Sequence, residues 1–228
     1  MSLLDAPEPN DALNALDRAL VDAVRARTAA GPRARLDDAA IALRSLLADV
    51  GPAEATAVKA VWGRVEAANG PAVVACGGLA QALTTDRFGL GARPLSADDA
   101  LKAAEAGSRA LIDLTPDRPW WGRLLARPDI RIVWALPDDR RGRPQAYMVS
   151  REASGPTGED RSFWVTDSGW SETKIVAALS ELGLVGEPLA AAGGLKLFML
   201  AGYVQIDDGR LRTAPGRLNG VIGAAPVF

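Results

Sequence analysis

Histidine is absent from this chain of 228 residues, and Cys76 is its one cysteine. A disulfide within the chain, a zinc site of imidazole or thiolate ligands, and any triad or acid–base scheme that relies on histidine are therefore excluded. No run of like charge occurs either: Lys+Arg 26 against Asp+Glu 28 gives a net charge of -2. That balance speaks against a nucleic-acid or anionic-membrane partner. No window reaches the roughly 18 apolar residues of a membrane span, and the start, Met1-Ser2-Leu3-Leu4-Asp5, lacks a targeting pattern. A cytoplasmic protein is expected, with no metal site and no cofactor motif.

What is present begins with a helical period over residues 10–69. Leu13, Leu16, Leu20 and Val24 line one face, Leu36, Ala40, Leu43 and Leu47 a second, and Val58, Val61, Trp62 and Val65 a third. Gly31-Pro32, Gly51-Pro52 and Gly70-Pro71 punctuate the runs, because glycine tolerates left-handed backbone and proline starts helices but does not continue them. Three helices of this length enclose little core alone, so they are expected to pack on a second copy or on the rest of the chain. From Pro71 the pattern changes to short buried strands, at 73–76, 110–114 and 130–134, with a helix capped by Ser96 between the first two. A returning strand is expected over Gln145 to Ser150. The last third reads as strand (Ser162–Thr166), helix (Glu172–Leu182, capped by Ser171), strand (Leu184–Ala190) and a Gly193-Gly194 turn. A long strand (Leu195–Val204), a short helix near Thr213–Leu218 and a strand over 221–228 complete it. That order is βαββαβ, the split βαβ or ferredoxin-like plan.

The segments Arg87-Phe88-Gly89, Asp98 to Gly107, Leu114-Thr115-Pro116-Asp117 and Pro156-Thr157-Gly158-Glu159-Asp160 together resemble prephenate dehydratase, and the helical start resembles the type II chorismate mutase often fused to it. The resemblance implies an α+β multi-domain protein: a chorismate mutase-like helical segment (1–70), a truncated periplasmic-binding-like α/β lobe (71–156), and a regulatory ACT-like domain (157–228). It also implies lost chemistry. Arg27 falls on a substrate arginine of the mutase, but the early partner-crossing arginine is Asn10 and the second-helix charged pair falls in Ala39-Ala40. The dehydratase signature of threonine, arginine and phenylalanine aligns with Gln145-Ala146-Tyr147, and the serine after the proline-acid strand end is replaced by Arg118-Pro119. The chain is too short between 117 and 145 for a second lobe, so the substrate cleft is expected to be missing. At the glycine-alanine-leucine effector turn of the regulatory domain stands Trp170-Ser171-Glu172, and at the second effector motif Ala190-Ala191-Ala192-Gly193. Trp170 is expected to sit in or over the old effector pocket, filling it and keeping phenylalanine out.

Several side chains admit two readings. Arg27, Arg33 and Arg35, with Arg25, could gather on a carboxylate, since guanidinium forks suit that ligand; the commoner role of such spacing is a solvated helix face. Trp120 and Trp121 could stack on an aromatic ligand or pack as core, although two adjacent helical tryptophans are not expected to both point fully inward. Trp170 and Ser171 are candidate ligand-binding residues of the last segment. Gly77-Gly78 reads as a turn, lacking the third glycine and the lysine of a phosphate loop. Glu54, Glu66 and Asp37-Asp38 read as caps and solvated faces. The expected function is that of a catalytically degenerate binding or regulatory protein of aromatic amino-acid metabolism, a homodimer, with a carboxylate or aromatic metabolite as ligand. Residual chorismate mutase activity and a purely structural interaction module are the alternatives.

Overall fold

The computed structural model describes residues 11–31, 35–89, 91, 93–114, 119–140 and 142–228, with side chains described from residue 16 onward. Three helices open it: α1 (Asp11–Ala30), α2 (Leu36–Leu47) and α3 (Pro52–Asn69). Ala23, Ala39, Leu43, Val58 and Trp62 bury their apolar faces in one cluster. Pro52 starts α3, where its missing N–H costs nothing.

The rest is one eight-stranded mixed sheet in the order β1-β2-β4-β3-β8-β5-β7-β6. Its strands are β1 (Val73–Cys76), β2 (Arg109–Asp113), β3 (Arg131–Leu136), β4 (Ala146–Ser150), β5 (Asp160–Thr166), β6 (Gly186–Ala192), β7 (Leu195–Ala201) and β8 (Asn219–Pro226). Helix α4 (Gly78–Phe88) joins β1 to α5 (Ala97–Glu105), and α6 (Glu172–Glu181) joins β5 to β6. β1 and β2 are parallel, β4 runs antiparallel to both β2 and β3, and β3 meets β8 in parallel. The last four strands, β8-β5-β7-β6, are antiparallel throughout.

Side-chain alternation in the strands sorts the core into layers. Ala110 and Ile112 of β2, with Phe163 and Val165 of β5, face a layer built on α5 and the Trp120–Ala126 3-10 helix. Leu111 faces the other way, onto α2 and α4, and Trp164 faces α6. The first layer runs beneath strands from both sides of residue 156. At the seam Ile132 of β3 pairs with Gly223 of β8, whose φ is 145°; a side chain there would strike the Ile132 backbone. Glycine lets the two strand sets close into one sheet.

Some sequence expectations need correction. The pair Gly77-Gly78 is not only a turn: Gly77 turns at φ 101° and Gly78 already begins α4. The strand expected to reach Val204 stops at Ala201, because Gly202 turns left-handed at φ 80°. The helix expected near Thr213–Leu218 is a 3-10 turn over Gly209–Thr213, capped by Asp208. Residues 114–130 carry β2 to β3 with a single short 3-10 helix among the described residues.

Candidate functional site

The mutase-like arginine is committed inside the protein. Arg27, 2% exposed, donates through Nη1 to the Gly31 carbonyl at 2.9 Å and lies 3.8 Å from Glu66 Oε1. Glu66 in turn accepts from Arg109 Nη1 at 2.8 Å, and Arg109 grips Glu152 through Nε and Nη2 at 2.5 and 2.7 Å. The Ser150 hydroxyl completes the chain on Glu152 at 3.0 Å. Two cations and two anions from α1, α3, β2 and the segment just after β4 thus neutralise one another, all buried but Glu152, whose side chain is one quarter exposed. Burial favours the protonated Glu152, yet the Arg109 fork and Ser150 outweigh it and hold the carboxyl below its ordinary pKa. Arg109 is raised by Glu152 and Glu66 against the opposing effect of burial. Glu66, read from sequence as a solvated face, is therefore a buried ion-pair partner.

A second closed cluster lies on Asp138. Lys59 reaches Oδ1 at 2.7 Å, Arg87 reaches Oδ2 at 3.1 Å, and the Trp134 indole donates to Oδ2 at 3.3 Å. Burial opposes ionisation, but Arg87 and Lys59 prevail and leave the carboxyl below its ordinary pKa. Phe228 stacks on Trp134 at 5.5 Å between ring centroids, and the cations of Lys59 and Arg44 lie 5.1 and 5.5 Å from the centre of the Phe228 ring.

The carboxyl ends of β1 and β2 are where an open α/β sheet holds a ligand. Here that place is occupied by the protein itself. Asp113 accepts the amides of Leu79, at 3.2 Å, and of Ala80 at the start of α4. A side chain on Gly77 would collide with this carboxylate. Burial raises the pKa of Asp113, against the two amides that lower it. Gln145 makes backbone bonds to Leu136 and Leu114, Ala146 is buried, and the Tyr147 hydroxyl donates to Pro144 O at 3.0 Å. Burial raises the pKa of that phenol. Thr115, Pro116, Asp117 and Arg118 lie outside the described residues.

Trp120 and Trp121 are 3% and 0% exposed, so both adjacent rings do point inward. Tighter 3-10 geometry and the junction of two strand sets make this packing available: Trp120 donates to Asp113 O at 2.8 Å and leans on Tyr147. Both belong to the central core layer. Arg35 forms a bidentate pair with Asp37 at 3.0 and 2.8 Å, and Asp37 also accepts the Gly155 amide. Arg35 hydrogen bonds hold Asp37 below its ordinary pKa. Arg25 faces solvent beside Asp22, and Arg33 lies outside the described residues. Arg25, Arg27 and Arg35 therefore serve separate partners rather than one ligand. Ser171 caps α6 by accepting the Lys174 amide. Trp170 does not fill a pocket. Its side chain is 43% exposed, with Lys174 Nζ 4.0 Å from the ring centre, beside an open hollow of about 450 Å³ lined by Asp167, Ser168, Pro215 and Arg217.

The Pro156–Asp160 anchor is structural. Asp160 accepts the Thr157 amide at 2.8 Å and hydroxyl at 2.7 Å, and Arg44 of α2 donates to Thr157 Oγ1, Glu159 O and Val227 O. Elsewhere, sequence reading missed Arg131, the first residue of β3. It lines a hollow of about 260 Å³ on the β3–β8 seam with Tyr203, Ser154, Val204, Ile206 and Val221. Burial lowers the Arg131 pKa, against the nearby charge of Asp129. A basic residue entering the apolar run Ile130 to Trp134 was the available signal.

No protein-family model matches the chain, and no curated protein matches it in sequence. Among solved structures it is similar to GqqA, described as a novel type of quorum-quenching acylase, at 14% identity and TM-score 0.44 over 68% of this chain and 95% of that one. It is also similar to prephenate dehydratase from Streptococcus mutans, at 12% identity and TM-score 0.39 over 68% of this chain and 98% of that one. Among the described residues no helix is long and apolar enough to cross a membrane.

Proposed function

We propose that this chain is a non-catalytic binding protein built on the chorismate mutase/prephenate dehydratase plan, with a regulatory ACT-like segment at residues 157–228. The observation that carries the reading is the commitment of Arg27 to Gly31 and Glu66 inside the Arg109–Glu152 network. Rearrangement of a dicarboxylate without protein proton transfer depends on free cations that meet the substrate. Here the candidate cation is spent on internal anions. Dehydration needs a proton donor and a cation for the substrate carboxylate; Gln145 and Ala146 stand where the threonine and arginine would be, and the buried Tyr147 hydroxyl is given to Pro144 O. The Asp113 carboxylate on the α4 amides leaves an incoming anion to compete with a tethered one. Support for the ACT-like segment comes from its strand order: counted by themselves, the last four strands lie 4-1-3-2 and are all antiparallel.

The test is turnover together with binding. Purified protein is expected to form no phenylpyruvate from prephenate above background. Turnover on the order of 1 s⁻¹ or more would overturn the reading. A thermal-shift screen against chorismate, prephenate and the aromatic amino acids is expected to give a saturable rise in Tm for a bound carboxylate. We also propose a homodimer, supported by the exposed Val21 and Val24 of α1 and Ile41 of α2; a monomer mass at all micromolar concentrations in light scattering contradicts it.

A further inference from the structure

The hollow on the β3–β8 seam differs from every charged site described above. Three donors on its wall, the Arg131 guanidinium and the hydroxyls of Tyr203 and Ser154, make no hydrogen bond or ion pair within the described residues. The acids of the same wall do not answer them. Glu152 is taken through both oxygens by Arg109 and again by Ser150, and Asp129 attracts Arg131 without making an ion pair with it. A guanidinium drawn partly out of water without a partner is destabilised, so an anion that reaches it regains a charge-assisted bond. Arg151 also lines the hollow, its Nη1 donating to Glu105 O at 3.0 Å, and Val133, Val204, Ile206 and Val221 give it an apolar side. Arg131 and Arg151 face Asp129 and Glu152 across the hollow, so its wall has no surplus positive charge for a phosphate; a monoanion suits it better, and the apolar wall suits an organic tail.

We infer that this hollow binds a small organic carboxylate, its carboxylate on Arg131 and Tyr203 and its tail against Val204, Ile206 and Val221. The inference rests on the reading of the chain as a non-catalytic binding protein and names the place where binding occurs. A volume of about 260 Å³ admits a ligand of one ring or a short chain, a little below the range of drug-sized pockets.

Phenylacetate is the probe, with phenylacetamide as its uncharged counterpart and acetate as its tail-less one, each titrated by calorimetry into the full chain. Phenylacetate is expected to saturate at millimolar concentration or below, with phenylacetamide and acetate each weaker by about tenfold, the scale of one charge-assisted bond or one buried ring face. Arg131→Gln is expected to weaken phenylacetate by about tenfold or more. Tyr203→Phe removes a single hydroxyl at the hollow and serves if the first variant does not fold; about threefold to tenfold weaker binding is expected. Absence of saturable phenylacetate binding, or equal binding by wild type and either folded variant, overturns the assignment. Prephenate turnover would instead overturn the functional reading, so the two failures are distinguishable.

Discussion

Arg27 and Arg131 are both arginines drawn out of bulk water, but they sit in opposite electrostatic situations. Arg27 belongs to a closed set in which Glu66, Arg109 and Glu152 cancel one another, with Ser150 and the Gly31 carbonyl taking further bonds. Arg131 has no such set; its hollow leaves the guanidinium, Tyr203 and Ser154 unbonded within the described residues. Position in a family-like motif did not distinguish the two. The arginine that the resemblance singles out is structural, and the one it passes over is available for a ligand.

If that contrast is right, substitution should separate the two clusters by stability. Arg109→Gln leaves Glu66 and Glu152 without their shared cation in the interior, and a loss of about 3–5 kcal/mol is expected in urea denaturation. A loss under 1 kcal/mol would mean that the network is hydrated and open. Asp138→Asn is the next in size, with a fall of about 1.5–3 kcal/mol as Lys59 and Arg87 lose their anion.

The pH dependence of stability follows from the same carboxylates. Asp138 and Glu152 have folded pKa values below their ordinary ones. Their contribution is therefore fully present above the unfolded value of about 4 and is lost as pH falls through the lower folded values. Asp113, raised in the fold, acts in the opposite sense and favours folding as pH falls through its raised value. Net loss of stability below about pH 4 is expected, with a shallower loss in Asp138→Asn. Identical acid unfolding curves for the two proteins would remove Asp138 from this role.

Much of the fold was legible locally. The Val73–Cys76 strand, the Ser96 and Ser171 caps and the three opening helices follow from periodicity and from side chains that bond within a few residues. What was not legible depends on partners far along the chain. Glu66 looks like a solvated helix residue until Arg109 meets it, and α4 was hidden because Gly77-Gly78 is an unusual helix start whose amides Asp113 satisfies from 34 and 33 residues away. The joining of β3 to β8 brings together residues on both sides of the expected 156/157 boundary through Gly223, and the Arg131 hollow exists only because of that junction. Trp170 shows the reverse error: alignment to an effector motif suggested a filled pocket, whereas its ring lies open under Lys174.

The smallest effects belong to the open sites. Arg131→Gln should change stability by no more than about 0.5 kcal/mol, since no internal partner is lost. Trp170→Gly should cost about 1 kcal/mol or less, the scale of one exposed cation–π contact, rather than the several kcal/mol of a buried indole. A loss comparable to that of Arg109→Gln at either position would erase the distinction between closed and open charge.

The most direct test is the rate of chorismate rearrangement with wild type and Arg27→Gln, followed by loss of chorismate absorbance. The internal commitment of Arg27 predicts that neither protein exceeds the uncatalysed rate. Turnover near 1 s⁻¹ by the wild type, abolished in a folded Arg27→Gln protein, would contradict it by showing that this guanidinium reaches a substrate.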